Sequence, residues 1–178
     1  MLDLIIKNGQ CYIDGEFKDV DVAIKDGKIH QIGQISDEAK ETVNAEGQTV
    51  LPGCIDTQTH FREPGSTDTE DLHSGSRAAI AGGITSVFEM PNTNPPTSNK
   101  TEFQRKLDLA KNRMYCNYAF YFGATADNTK DLASLKDLEG CCGIKLFAGS
   151  STGNLLVAEE EDIDKVFQNS SKVVAVHS

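Results

Sequence analysis

The sequence predicts an α/β chain in which a small antiparallel β domain precedes a series of parallel strands separated by helices. Between Met1 and Pro52, short alternating segments are separated by Asn-Gly, Asp-Gly and Glu-Gly turn signals. Between Gly53 and Ser178, apolar strand-like runs alternate with amphipathic helical stretches. We therefore expect two domains, 1–52 and 53–178, in a globular protein with a real core.

The charge balance limits the classes of partner. The formal net charge is -10, and the 17 Lys and Arg residues are scattered along the chain. Nucleic acid and anionic membrane surfaces are attracted by clustered positive charge, so neither is expected as a main partner. The first ten residues include Asp3 and Lys7, which is not typical of a signal peptide or a membrane span. A cytoplasmic protein with a small-molecule ligand is predicted.

Five cysteines, an odd number without a Cys-x-x-Cys pair, argue against a disulfide framework and a structural zinc knuckle. They are interpreted as small buried apolar residues. They are Cys11, Cys54, Cys116, Cys141 and Cys142.

The N-terminal domain is predicted from three segments, "DLIIKNG", "DVDVAIKDGKIHQIG" and "TVNAEGQTVLPG". After it, five apolar runs predict strands: Cys54–His60, Ile84–Met90, Cys116–Phe122, Cys142–Phe147 and Val173–His177. Strands that alternate with helices form a parallel sheet with right-handed crossovers.

Helices are predicted between these strands from capping signals and apolar spacing. Gly82-Gly83 ends a helix that follows Glu70, and Ser98 is a candidate cap for the next one. In that second helix Phe103, Leu107 and Ala110 share a face. A last helix, 159–168, places Ile163, Val166 and Phe167 on one side.

Such a series forms either an open doubly wound sheet or a closed eight-stranded barrel. No GxGxxG or GxxxxGK[ST] motif follows a strand, which disfavours a nucleotide-binding open sheet. A complete barrel takes roughly 250 residues. A barrel in this chain would contain its first five strands only.

Polar residues at the predicted strand ends are the candidates for chemistry: Gln58, His60, Asn92, Lys145 and His177. Lys145 lies between Ile144 and Leu146 on a strand covered on both faces. Either its ammonium reaches water at the strand end, or its neutral amine captures CO2 to form a carbamate that can bridge two metal ions.

Gln58 and His60 are two positions apart and face the same side of the first strand. Two imidazoles there would bind zinc, whereas a glutamine oxygen is a weaker, neutral donor. Arg62 is either an anchor for a substrate carboxylate or a partner of Glu63 or Asp68 in a surface ion pair. Asn92 lies in a loop rigidified by Pro91, Pro95 and Pro96, as also occurs in ordinary tight turns.

The motifs "PGCIDTQTHFREPG", "FEMPNTNPPT", "GIKLFAGSSTGNLLV" and "VVAVHS", in this order, resemble dihydroorotase of the metal-dependent amidohydrolase superfamily. The N-terminal segments resemble the accessory β domain of that superfamily. The resemblance implies a (β/α)8 TIM-type barrel, here its first five strands, and reversible zinc-dependent hydrolysis of dihydroorotate to carbamoyl aspartate in pyrimidine synthesis.

The resemblance also implies the roles of the site residues. His60 and His177 would bind zinc, carbamylated Lys145 would bridge two zinc ions, and Arg62 and Asn92 would hold the substrate carboxylate. Gln58 stands where the family has a histidine, which predicts a weakly held first metal. The general-base aspartate of the family has no counterpart before Ser178, so residues 1–178 alone are expected to be inactive.

Alternatives to a dihydroorotase are a hydantoinase or allantoinase, which are related cyclic amidases, and a non-catalytic dihydroorotase-like subunit. The resemblance implies aspartate transcarbamoylase as the partner of such a subunit, and a homodimer is a further expected assembly. Gln58 favours the non-catalytic alternative, whereas Lys145, His177, Arg62 and Asn92 favour a retained site.

Overall fold

The computed structural model describes residues 1–151 and 154–178. Thr152 and Gly153, within the predicted "GIKLFAGSSTGNLLV" motif, lie outside the described residues. The chain divides into two compact units, Met1–Pro52 and Gly53–Ser178.

The first unit consists of two small sheets. One has the strand order β5-β4-β1-β6 and the other β3-β2-β7. The hairpins β4/β5 and β2/β3 are antiparallel, and β6 and β7 pair in parallel with β1 and β2. The strands are β1 (Leu2–Lys7), β2 (Gln10–Ile13), β3 (Glu16–Asp19), β4 (Asp21–Lys25), β5 (Lys28–Gly33), β6 (Ala39–Asn44) and β7 (Thr49–Val50).

The Asp-Gly signals form the two hairpin turns of this unit. Asp14-Gly15 and Asp26-Gly27 all have positive φ, from 52° to 85°. Two successive positive φ values characterise the tight turn whose twist matches antiparallel strands. The hairpins predicted from these dipeptides are therefore present.

The second unit is built on a five-stranded parallel sheet. Its strands pair in chain order, β8-β9-β10-β11-β12, without reversal. A doubly wound sheet reverses its strand order at a switch point, whereas a barrel winds in one direction. The order is that of a half-barrel. The strands are β8 (Cys54–Thr59), β9 (Ile84–Glu89), β10 (Asn117–Gly123), β11 (Cys141–Phe147) and β12 (Val174–His177).

In the described part of this unit, three α-helices and one 3-10 helix connect the strands. They are α1 (Leu72–Ala81), α2 (Lys100–Ala110), the 3-10 helix Thr129–Leu135 and α3 (Glu160–Asn169). Gly82 ends α1 as predicted. The predicted cap Ser98 is wrong, because the Asn99 side chain accepts the hydrogen bond from the Glu102 backbone N–H at 2.9 Å.

The core lies between the sheet and its helices. Phe103 of α2 is fully buried, and its ring centroid lies 6.4 Å from that of Phe120 and 6.2 Å from that of Phe122 on β10. On α3, Val166 is buried, whereas Phe167 is 51% exposed. The predicted apolar face of α3 is therefore wrong at Phe167.

The cysteines are free, and three of them are buried: Cys11, Cys116 and Cys141. Cys142 is partly buried and Cys54 is exposed, so the expectation of burial is wrong for Cys54. Cys54 begins β8, which pairs with only one neighbouring strand. Among the described residues, no helix is long and apolar enough to cross a membrane.

Replacement of Phe103 by alanine is expected to lower the free energy of unfolding by about 3–5 kcal/mol, because it leaves a cavity between α2 and β10. The matched change Phe167→Ala removes a half-exposed ring and is expected to cost less than about 1 kcal/mol. Urea unfolding followed by circular dichroism measures both values. Equal losses would contradict this assignment of the core.

Candidate active site

Parallel pairing brings the predicted strand-end residues to one edge of the sheet. Thr59 pairs with Glu89, Gly123 with Lys145, and Phe147 with His177. His60 follows directly after β8, and Asn92 is the third residue after the end of β9. The carboxyl ends of all five strands therefore meet on the side where barrel enzymes place their active sites.

A cavity of about 370 Å³ at this edge contains both candidate histidine ligands; we call it the histidine cavity. Gln58 and His60 both face it, as predicted from their spacing. Its lining residues are Gln58, His60, Arg62, Asn92, Phe147, Ser150, Ser151 and His177.

A second cavity of about 470 Å³ lies between the loops that follow β8 and β9; we call it the loop cavity. Arg62 and Asn92 line both cavities. Gly65 (φ 120°) allows the two loops to approach, since an added Cβ would lie 3.0 Å from Asn94 Cβ. The other lining residues are Pro64, Ser66, Thr93, Asn94 and Pro96.

The Arg62 guanidinium makes no ion pair within the described part of the chain. Glu63, one of its two predicted surface partners, is buried and instead accepts two hydrogen bonds from Arg113, at 2.9 and 3.2 Å. Glu63 also accepts the Leu72 N–H at the start of α1. Arg62 itself has a φ of 60°, an uncommon value for a residue with a side chain. A positive group thus remains available between the two cavities.

Lys145 is buried, with 3% of its surface exposed. Its Nζ lies 5.0 Å from the centroid of the Phe147 ring, and no carboxylate pairs with it among the residues described. The alternative in which the ammonium reaches water is therefore wrong. Burial lowers the pKa of Lys145, which favours the neutral amine.

His60 is half-buried, and its surroundings favour the neutral imidazole. Burial lowers its pKa, and the positive charge of Arg62 lowers it further. The nearby Asn92 side chain opposes this shift. Asn92 Oδ1 is buried and lacks a well-formed hydrogen bond to any described residue, so it is an acceptor that a ring N–H of His60 or a ligand can satisfy.

The donor set decides whether a metal fits this cavity. His60 and His177 supply two imidazoles, and Gln58 supplies a neutral oxygen. Within residues 1–151 and 154–178, no three His, Cys, Asp or Glu side chains come together as a metal site. Lys145 provides an anionic third donor only if it is carboxylated, so the residues fit a metal in that modified form.

A buried ion pair beneath the site was missed by sequence reasoning. Glu89, the last residue of β9, pairs with Lys106 of α2, and both side chains are almost inaccessible to water. Burial raises the pKa of Glu89 and lowers that of Lys106. The sequence does contain a signal for this pair, because each residue is a charged residue among apolar ones. Lys106 is three positions after Phe103 on the apolar face of α2, and Glu89 lies between Phe88 and Met90 at the end of β9.

Several lining residues were also missed. Phe147 and Ser150 lie where β11 ends, and Ser66 and Thr93 lie in the loops beside Arg62 and Asn92. Each of them lies at the end of a strand or in the loop that follows it, a position that makes any residue a candidate and not only an ionisable one.

The family model of the amidohydrolase family matches residues 49–176. The chain belongs to the amidohydrolase family. Members of this family are generally metal-dependent. The predicted superfamily is therefore confirmed.

Relatives of this amidohydrolase chain include cyclic amidases. It is 40% identical to an allantoinase of Escherichia coli O1:K1 over 149 residues, which are 83% of this chain and 33% of that protein. An allantoinase of Escherichia coli strain SMS-3-5 is 41% identical over the same length. The chain spans about a third of the length of these curated relatives.

Solved structures support the same fold. An L-hydantoinase (dihydropyrimidinase) from Arthrobacter aurescens superposes with a TM-score of 0.91 at 28% identity, over 100% of this chain and 41% of that chain. A D-hydantoinase superposes with a TM-score of 0.84 at 26% identity, over 99% of this chain and 40% of that chain. The α/β half-barrel is confirmed, and the finer assignment to dihydroorotase stays a prediction.

The Arg62 charge is expected to lower the proton affinity of His60 in the metal-free protein, in addition to the larger effect of burial. Arg62→Gln should raise the pKa of His60, because it removes a cation from beside the imidazole. Arg77→Gln, an exposed position on α1, is the control. NMR titration of the His60 ring measures the shift.

The same shift has a consequence for stability. Since the folded-state pKa of His60 lies below its usual value of 6.5, the unfolded chain binds the proton first as the pH falls. The contribution of His60 to the free energy of unfolding should decrease below that pH, and less so in Arg62→Gln. An equal decrease in Arg62→Gln and in the wild type would contradict the assignment.

Proposed function

We propose that this chain contributes to the active site of a zinc-dependent cyclic amide hydrolase whose substrate is dihydroorotate. The observation that carries the proposal is the unpaired Arg62 guanidinium between the histidine cavity and the loop cavity. A cation held beside two imidazoles suits a cyclic amide that carries a carboxylate.

Substrate binding is assigned to the residues shared by the two cavities. The planar fork of Arg62 is suited to two parallel hydrogen bonds to a carboxylate, and the amide group of Asn92 can donate a third. Phe147 supplies an apolar wall, and the Ser150 hydroxyl is a further polar group of the histidine cavity. A bound carboxylate thereby fixes the orientation of the ring amide relative to His60 and His177.

The metal ligands proposed are His60, His177 and Lys145 in its carbamylated form. The neutral amine is the chemical form that reacts with CO2, and burial of Lys145 favours that form; the carbamate produced is an anion, and one proton is released. A bound zinc ion would supply Lewis-acid polarisation of the ring carbonyl and would lower the pKa of a water molecule. The low pKa of His60 keeps a ring nitrogen unprotonated for coordination.

Allantoinase is the second candidate, and the 40% identity over 149 residues favours it. Allantoin is a cyclic amide without a carboxylate, so an allantoinase would not need the charge of Arg62. Four further expectations depend on the dihydroorotase assignment and stay predictions. They are a role in pyrimidine synthesis, a cytoplasmic location, a homodimer and aspartate transcarbamoylase as a partner.

A substrate series tests the assignment. Dihydroorotate is expected to bind residues 1–178 more tightly than dihydrouracil, hydantoin or allantoin, since only dihydroorotate carries a carboxylate. Arg62→Gln should weaken dihydroorotate binding by about 10- to 100-fold, the loss of a charge-assisted hydrogen bond, and leave the other three unchanged. Titration calorimetry measures binding, with Arg77→Gln as control. Tighter binding of allantoin, unaffected by Arg62→Gln, would replace dihydroorotase by allantoinase.

Carbamylation of Lys145 is tested by zinc affinity with and without bicarbonate. Bicarbonate should tighten zinc binding to the wild type and add the mass of one CO2 in native mass spectrometry. Lys145→Met should abolish both effects, and Lys111→Met, at an exposed position, should not. Gln58→His should tighten zinc binding by at least the roughly 10- to 100-fold typical of residues that support a ligand. Bicarbonate-independent zinc binding would contradict the role of Lys145.

A further inference from the structure

The buried pair of Glu89 and Lys106 contacts the backbone on both sides of the site. Glu89 Oε1 accepts the N–H of Phe61 at 3.3 Å, and Phe61 lies between His60 and Arg62. Lys106 Nζ donates to the carbonyl oxygen of Met90 at 2.9 Å, two residues before Asn92. One ion pair therefore links the loop after β8 to the loop after β9.

Removing these two charged side chains from water costs free energy, so packing alone does not explain their presence. Lys106 is 0% and Glu89 1% exposed, and Lys106 Nζ lies 5.2 Å from the centroid of the Phe120 ring. Apolar residues of similar volume at such positions are often equally stable or more stable. Apolar residues, however, cannot form hydrogen bonds with a backbone N–H and a backbone carbonyl, as this pair does.

We propose that Glu89 and Lys106 are positioning residues that set the separation between His60 and Arg62 on one loop and Asn92 on the other. Neither side chain lines the histidine cavity or the loop cavity, so neither touches a ligand there. The pair acts through the Phe61 and Met90 backbone. Its effect on substrate affinity rests on the function proposed above, whereas its effect on loop geometry does not.

The test compares variants that separate stability from positioning. Lys106→Met leaves the Glu89 carboxylate buried without its ammonium partner and should lower the thermal midpoint by on the order of 10 °C. In the double variant Glu89→Gln/Lys106→Met both side chains are uncharged and similar in shape to those of the wild type. It should therefore recover most of the thermal midpoint that Lys106→Met loses. It still lacks the hydrogen bond to Met90. The control is Glu102→Gln/Arg105→Met, which removes an exposed ion pair of the same helix.

The readouts are the NMR signals of the His60 ring and the Asn92 side-chain amide, together with the affinity for dihydroorotate. In the neutral double variant the Asn92 signal should stay displaced from its wild-type position although the midpoint recovers, and dihydroorotate should bind at least about tenfold more weakly. The control should match the wild type in both signals. Recovery of the signals together with the midpoint would overturn the proposal.

Glu89→Asp provides a second, independent comparison if the double variant does not fold. The shorter carboxylate can keep its ion pair with Lys106 but withdraws from the Phe61 N–H. The His60 signal should then shift and the Asn92 signal should not. Equal shifts of both signals, or none, would overturn the proposal. Failure of the wild type to bind dihydroorotate would refute the proposed substrate and leave the NMR comparison valid.

Discussion

Parallel pairing in chain order is the constraint on which the site depends. Each strand of the five-stranded sheet runs in the same direction, so five separate segments end at one edge. Residues more than a hundred positions apart, such as His60 and His177, thereby line one cavity. The buried rings of Phe103, Phe120 and Phe122 pack α2 against β10 and stabilise this arrangement.

The sequence predicts the strands of the second unit well, because most of them contain an apolar run and three begin directly after a glycine: Gly53, Gly83 and Gly140. The errors concern choices between chemically similar neighbours. Ser98 and Asn99 are both good helix caps, and only the contact with Glu102 distinguishes them. The third connection is a 3-10 helix, and Asn128 before it binds Ser98 and Gly123 carbonyls and does not cap it.

The candidate site was predictable where residues are unusual in their own segment. Lys145 stands out between apolar neighbours, and His60 follows Gln58 with strand spacing. Pairings between distant segments were not predictable in this way. Glu63 and Arg113 are 50 positions apart, and nothing in either segment indicates that they bind each other and leave Arg62 unpaired. An ionisable residue between apolar neighbours is visible in the sequence, but only the folded chain shows whether it has a carboxylate partner, as Lys106 does and, among the residues described, Lys145 does not.

The position of Arg62 on the shared wall of two cavities limits how this site can change during evolution. A substitution that removes the Arg62 charge changes the lining of the loop cavity and also raises the basicity of the His60 ring. One position therefore affects two properties together: the anions that the loop cavity attracts and the strength with which the His60 ring binds a proton.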